Sequence, residues 1–452
     1  MNLHKILFST FWSGIGFIFG KGGFLITISL VSIFLSVYDF ANFNLYLMVI
    51  NTFAGVIGLS MSSTANRYAT TKKNVYTLLI LSIFFSLSGT IIYFFLEVFY
   101  FKIFHLKIDL ILSCLIIVFA IFSNSLSGFF YAEGTFKKYA IVYSIQGLIM
   151  VSSCFFLGKC YGFTGVLLGI LMAYFFTIIY AVFYFKSRSL EIVISNDLIV
   201  RVSIKVFFPS LFSGLLFQPA ILITAFLINQ YSSTTEVIAY TVANQFRMVL
   251  GVLPITLGAV LLKILVENKK DYKAHLERLN YSLSYYPIMI LSIVLLFCQE
   301  FIGWIIENTD TVEFYYCLLF FVSGTVITSF KGAVSRKFVS EEKGKISILS
   351  NFSWFVIFMF MAVIFIPKYA AVGAAFSFLV AQILHLLAWS PFYVKHRFYY
   401  LDFFDYKFFI SIPIYLFMIL SIYFDFQYLF FSLFSLSLYL FYKEIRLLKE
   451  KL

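Results

Sequence analysis

Hydrophobic and polar positions along this chain alternate on a long scale, as apolar runs of membrane-crossing length separated by short polar breaks. The runs occupy 8–36, 41–66, 75–99, 110–132, 139–158, 163–185 and 206–229, then 237–263, 281–304, 314–335, 346–366, 370–392, 408–424 and 427–442. A hydrocarbon core of roughly 30 Å takes about 20 residues of helix, so the pattern predicts about fourteen transmembrane helices, the last two the shortest. The first run is longer than a signal-peptide core and is followed by no small-residue cleavage site, so it reads as a retained helix. No stretch between the runs is long enough for a separate soluble domain.

Composition makes the class firm. With 62% hydrophobic and only 12% charged residues, too little polar surface exists to cover a soluble globule. Lys and Arg resist translocation and collect in cytoplasmic loops. With the N-terminus inside, only Lys102, Lys107, Lys159 and Lys368 fall in outer segments, and Lys21, Arg247 and Lys331 fall within spans. Every other Lys and Arg lies inside, which places both termini in the cytoplasm. The net charge of +12 is therefore mostly a topology signal, and no nucleic-acid partner is needed to explain it.

The chain also repeats itself. "FWSG" at 11–14 opens the first span and "LFSG" at 211–214 sits early in the seventh. "KCYGFTG" at 159–165 matches "PKYAAVG" at 367–373 at an offset of 208, and at that offset Glu133 and Lys137 fall on Glu341 and Lys345. Repeats of this kind build transporters around a central cavity. The expected fold is an all-α polytopic membrane protein: two parallel six-helix pseudo-repeats facing one cavity, plus two C-terminal helices. The expected divisions are 1–190, 191–395 and 396–452.

Within this frame the stretch "FGKGGFLITISL", residues 19–30, places Lys21 in mid-span among glycines. A charge there costs roughly 2.5–3.5 kcal/mol on insertion scales, so such groups usually face a cavity or a partner. Lys21, Arg247 and Lys331 come from both halves and share one sign, an arrangement that makes sense if an anion visits. A guanidinium fork suits phosphate. Each also has a plainer role: Lys21 paired with a structural carboxylate or deprotonated in a packed core, Arg247 or Lys331 as a snorkelling anchor. Arg67 closes the second span as a topology residue or as a first basic contact on the cytoplasmic side. Asp39 and Glu236 lie at outer span ends in comparable places of the halves, where they either latch an outer gate or are solvated loop carboxylates. Asn124, Gln146, Gln218, Asn244, Gln245, Gln382 and His385 read first as hydrogen-bonding glue between helices. The glycines around Lys21 permit close helix approach or bending.

Enzyme chemistry finds little support. "GFIFGKGG" has the wrong glycine spacing for a phosphate loop, and no Ser or Thr follows Lys21. The five His are scattered and the five Cys form no CxxC pair, so neither metal nor cofactor is expected.

The segments "DFANFNLY" (39–46), Gly58-Leu59-Ser60 through Asn66-Arg67-Tyr68, "AEGTFKK", "YGFTGVLLG" and "KYAAVGAAFS" resemble the O-antigen flippase (Wzx) family of polysaccharide biosynthesis proteins. That family belongs to the multidrug/oligosaccharidyl-lipid/polysaccharide exporter superfamily. The resemblance implies a bacterial inner-membrane flippase carrying an undecaprenyl-pyrophosphate-linked oligosaccharide, an O-antigen or capsule repeat unit, from the cytoplasmic to the periplasmic leaflet by alternating access. It implies coupling to an H+ or Na+ gradient, membrane lipids as surroundings, and polysaccharide polymerase and chain-length machinery as partners. Lys21 and Arg247 would hold the pyrophosphate, with Lys331 and Arg67 assisting. A lipid II type flippase and a multidrug cation antiporter of the same superfamily stand as alternatives. The antiporter is disfavoured because a cation in mid-span stands where a membrane-embedded carboxylate would be expected.

Overall fold

The structure, a computed structural model, describes residues 3–69, 72–103, 107–186, 194–251, 273–307, 309–341, 343–399 and 401–451. It is built of helices, with no strand among the described residues. α1 runs Leu3–Ser32, and α2 runs Val37–Tyr68 with a π turn at Ala54–Gly58. α3 (Lys72–Leu96) passes into a π turn, Glu97–Phe101, and α4 spans Lys107–Glu133. α5 (Phe136–Lys186), α6 (Asn196–Tyr231) and α7 (Thr234–Leu250) follow. Then come α8 (Lys273–Phe297), the short α9 (Gln299–Ile305), α10 (Val312–Ser340) and α11 (Gly344–Lys395). α12 (Tyr406–Tyr423) and α13 (Gln427–Lys451) close the chain.

Ten of these helices are long and apolar enough to cross a membrane. α5 and α11 each do so twice, because each folds back on itself. Gly162 (φ 59°) breaks α5 and Ala370 (φ 42°) breaks α11, two positive-φ positions at the offset of 208 seen in the sequence. Glycine takes such a backbone freely and alanine does not. After each break a glycine lets the second arm pack on the first: a Cβ at Gly165 would stand 2.0 Å from the Leu157 carbonyl, and one at Gly373 2.3 Å from that of Phe365. Both arms of α5 and α11, together with α7 and α13, complete the expected fourteen spans. The part of the 237–263 span beyond Gly251 lies outside the described residues.

Helix starts at the ends expected to face outward carry serine N-caps. Ser36 Oγ accepts from Asp39 N at 3.1 Å and donates to the Asp39 carboxylate at 2.8 Å, at the head of α2. At the head of α7 Ser233 Oγ likewise accepts from Glu236 N, but lies beside the Thr235 hydroxyl and leaves the Glu236 carboxylate to another partner. α1 lies along the first arm of α5 on a seam of small residues. A Cβ on Gly16 would meet Ala140 Cα at 2.7 Å, and one on Gly23 would meet Gly147 Cα at 2.9 Å. Of the glycines flanking Lys21, Gly20 and Gly23 thus serve close approach to α5, while Gly22 faces open space.

The core is divided unevenly along the membrane normal. Toward the outer ends, residues of both halves share one buried cluster, from Phe24 and Phe40–Ala54 through Ile221–Ile228 and Val237–Leu250 to Trp354–Ala381. Toward the inner ends the buried apolar residues form two clusters. One comes mainly from 61–207 with Leu279 and Leu283, and the other from 281–440.

Candidate functional site

Between those inner clusters lies a two-chambered cavity. The deeper chamber, about 230 Å³, sits mid-membrane among α1, α2, α4, α5, α6, α7 and α10. The second, about 290 Å³, reaches the inner ends of α2, α6, α10 and α11. Gly55, Leu59, Phe217 and Gln218 line both, so the chambers are continuous. Above them the halves are tied: Asn51 on α2 donates to Gln245 Oε1 on α7 at 3.3 Å, and Phe101 stacks on Phe226 at 4.8 Å. The cavity is therefore sealed on the side expected to face outward and open on the side rich in Lys and Arg.

Arg247 lines the deep chamber and is only 7% exposed. Asn244, one helical turn back on α7, fixes it by accepting from Nε at 2.7 Å. Three rings surround the guanidinium carbon, those of Phe217, Phe321 and Phe378, at 5.6, 5.8 and 5.3 Å. Its Nη2 has no hydrogen-bond partner among the described residues. No carboxylate lines either chamber among those residues, and the only other lining cation is Lys205. A desolvated guanidinium with a spare donor is a receptor for an anion.

The rest of the deep chamber is neutral and polar. Asn51, Asn124, Gln146, Gln218 and Gln245 contribute amides, and Tyr139, Tyr143 and Tyr174 contribute phenol rings. Gln146 Oε1 and Gln245 Nε2 are buried with no hydrogen-bond partner among the described residues, one an acceptor and one a donor. Hydroxyl groups, which both donate and accept, would satisfy both. Four amides expected to act as glue between helices thus line the cavity, and Asn51 and the tyrosines add to them. Their signal was a polar residue in mid-span.

The other sequence-derived residues are distributed as follows. Lys21 stands on α1 four residues from Phe17 and four from Leu25, both of which line the deep chamber, and its own side chain lies outside the described residues. Lys331 on α10 lies between Thr328 of the deep chamber and Ser335 of the inner one. Its Nζ sits 5.6 Å over the Trp354 ring, shut off from solvent with no hydrogen-bond partner among the described residues. Arg67 lines neither chamber, and its guanidinium lies over the Tyr68 ring at the inner end of α2. Asp39 and Glu236 are not brought together. Asp39 serves its own cap, whereas Glu236 Oε2 accepts from the backbone N–H of Ala371 at 2.8 Å, just past the break in α11. No group of three or more His, Cys, Asp or Glu able to hold a metal occurs among the described residues.

No family model and no curated protein matches this chain. Solved structures do. A MOP superfamily transporter from Pyrococcus furiosus, described as having a binding pocket of reverse polarity that suggests a different function, superposes with a TM-score of 0.68 at 16% identity, covering 86% of this chain and 95% of that one. An outward-facing multidrug resistance MATE family transporter of the same superfamily gives 0.66 at 16% identity, over 87% and 96%. MATE in complex with MaL6 gives 0.68 at 16% identity, over 86% and 96%. The chain has the fold of these transporters.

Proposed function

We propose that this protein is a transporter of the flippase type, which moves an undecaprenyl-pyrophosphate-linked oligosaccharide from the cytoplasmic to the periplasmic leaflet of the bacterial inner membrane. The observation that carries this reading is the charge pattern of the cavity: Arg247 with a free donor, amides and tyrosines around it, and no carboxylate among the described lining residues. Pyrophosphate would settle at Arg247, with Lys21 on the facing helix and Lys205 nearer the inner opening, while Lys331, over the Trp354 ring and outside both chamber linings, would assist by its charge alone. Arg67 stands at the inner rim. Sugar hydroxyls would meet the amides, while the polyprenyl tail stays in lipid.

The bare membrane would strip water from such a head group at great cost, and a polar cavity removes that barrier. Helices tied at one end of the cavity and parted at the other support alternating access, with this state loading from the cytoplasm. An H+ or Na+ gradient would drive the cycle, and polymerase and chain-length proteins would receive the product. A cationic drug would meet a cation in this chamber and no acid among the described lining residues, which disfavours the multidrug antiporter.

The test is translocation of a labelled undecaprenyl-pyrophosphate oligosaccharide in proteoliposomes at matched reconstitution, wild type against Arg247→Gln and Lys21→Gln. Wild-type flipping that Arg247→Gln abolishes supports the reading. Export of a cationic dye without lipid flipping replaces it, and preference for a peptide-bearing lipid II head group would move it to the lipid II type.

A further inference from the structure

Lys331 has a different environment from Arg247. It lies behind the chamber wall: Arg247 touches Phe217, Phe217 packs on Trp354 with centroids 4.5 Å apart, and Trp354 carries the Lys331 ammonium on its face. The ring beneath it adds a donor too, since Trp354 Nε1 is buried with no hydrogen-bond partner among the described residues. Among the described residues the titratable groups on neighbouring elements offer no acid. On α11 they are His385, whose Nε2 lies 3.1 Å from Ser350 Oγ, and Tyr393, bonded to the same Oγ at 2.7 Å. On α7 they are Arg247 and Tyr240, the latter paired with Thr224. The nearest carboxylate on α8, Glu277, is taken by Lys337 at 3.0 Å.

A dry amine with no acid beside it has two reliefs: it sheds its proton or an anion arrives. Arg247 cannot use the first, because a guanidinium does not titrate at working pH. An amine can. In so dry a wall the charge of an anion at Arg247 is felt across two aromatic rings.

Resting on the flippase reading, we propose that Lys331 is a proton-exchanging station linked to the anion site: its amine takes up a proton when an anion binds at Arg247 and returns it when the cavity empties. The step is acid–base only. The amine lone pair accepts H+ from water in the inner chamber, which Ser335, one turn along α10, already lines. The loaded cavity then holds paired charges, and the empty one need not carry a second unpaired cation across the membrane.

The test is isothermal titration of the purified full chain with inorganic pyrophosphate at neutral pH, in two buffers of different ionisation enthalpy, which counts protons taken up per ligand bound. Wild type should take up about one proton more than Lys331→Arg, whose charge is fixed. Lys331→Met should show the same loss while still binding through Arg247. Equal proton counts in wild type and in both binding-competent variants overturn this assignment and leave the flippase reading intact. Failure of wild type to bind pyrophosphate overturns both.

Discussion

The carboxylate of Glu236, at the head of α7, accepts a 2.8 Å hydrogen bond from the backbone N–H of Ala371, the first residue past the break in α11. In the N-terminal half Thr164, two residues past Gly162, donates to Asp109 at 2.7 Å. Each break is thus held by an acid from another helix at the exposed start of a second arm, where a negative charge is favoured. Replacing Glu236 by Ala should lower stability by about 1–2 kcal/mol and by Gln by less, since a charge-assisted bond is lost or weakened. Thermal unfolding in detergent checks the order wild type, Gln, Ala.

The seam between α1 and α5 leaves no room for a methyl group. At Gly147 a Cβ would stand 2.1 Å from the Phe19 carbonyl oxygen, whereas at Gly22 nothing lies within 4 Å. Gly147→Ala should therefore push the helices apart and cost about 1–3 kcal/mol or more, with Gly22→Ala near neutral. Melting temperatures of the two variants side by side decide it.

For the anion site, Arg247→Gln should weaken pyrophosphate binding roughly 10- to 100-fold, the worth of a charge-assisted hydrogen bond. Arg247→Lys should recover only part, because a point charge cannot replace the planar fork or its fit among three rings. Titration of both variants at one ionic strength is the measurement. Unchanged affinity in Arg247→Gln would remove this residue from the site.

The tail hairpin supplies a pH dependence. Glu444 on α13 accepts from Arg278 at 2.5 and 2.8 Å, from Lys407 at 3.1 Å and from Ser282 at 2.9 Å, and is 1% exposed. Burial pushes its carboxyl up, but Arg278, Lys407 and Ser282 outweigh that and hold it below the ordinary 4.5. A carboxylate lowered on folding adds stability that is full above its unfolded value and lost as pH falls through its folded one. Attachment of α12 and α13 should thus be constant from neutral pH down to about 4.5 and weaken below it. Glu444→Gln should remove most of that dependence and cost about 1–3 kcal/mol at pH 7, because buried Lys407 loses its close partner while Arg278 keeps Asp405 at 2.8 Å. Limited proteolysis of the hairpin against pH reads both effects.

Much of this was legible in the residues. Helix number followed from run length. The two breaks sat where "KCYGFTG" and "PKYAAVG" aligned, since a chain that must reverse twice in the same way keeps the same small residues there. Arg247 was found because a charge in hydrocarbon is costly wherever it points. What the chain did not announce was direction. In a membrane both lipid-facing and core-facing positions are apolar, so periodicity says little about which way a helix turns. That is why Gln146 and Gln245 read as glue, why the Gly20–Gly23 cluster left approach and bending open, and why Asp39 and Glu236 looked equivalent when only Glu236 reaches another helix.

The uneven core has a thermal consequence. In the proposed transport cycle, opening on the far side must part the cluster in which Phe40–Ala54 and Val237–Leu250 are packed as one and wet those faces, while the two smaller clusters close. Exposing apolar surface to water raises heat capacity. The opening step should therefore carry an activation heat capacity of its own, and an Eyring plot of turnover should bend where a chemical barrier would give a straight line.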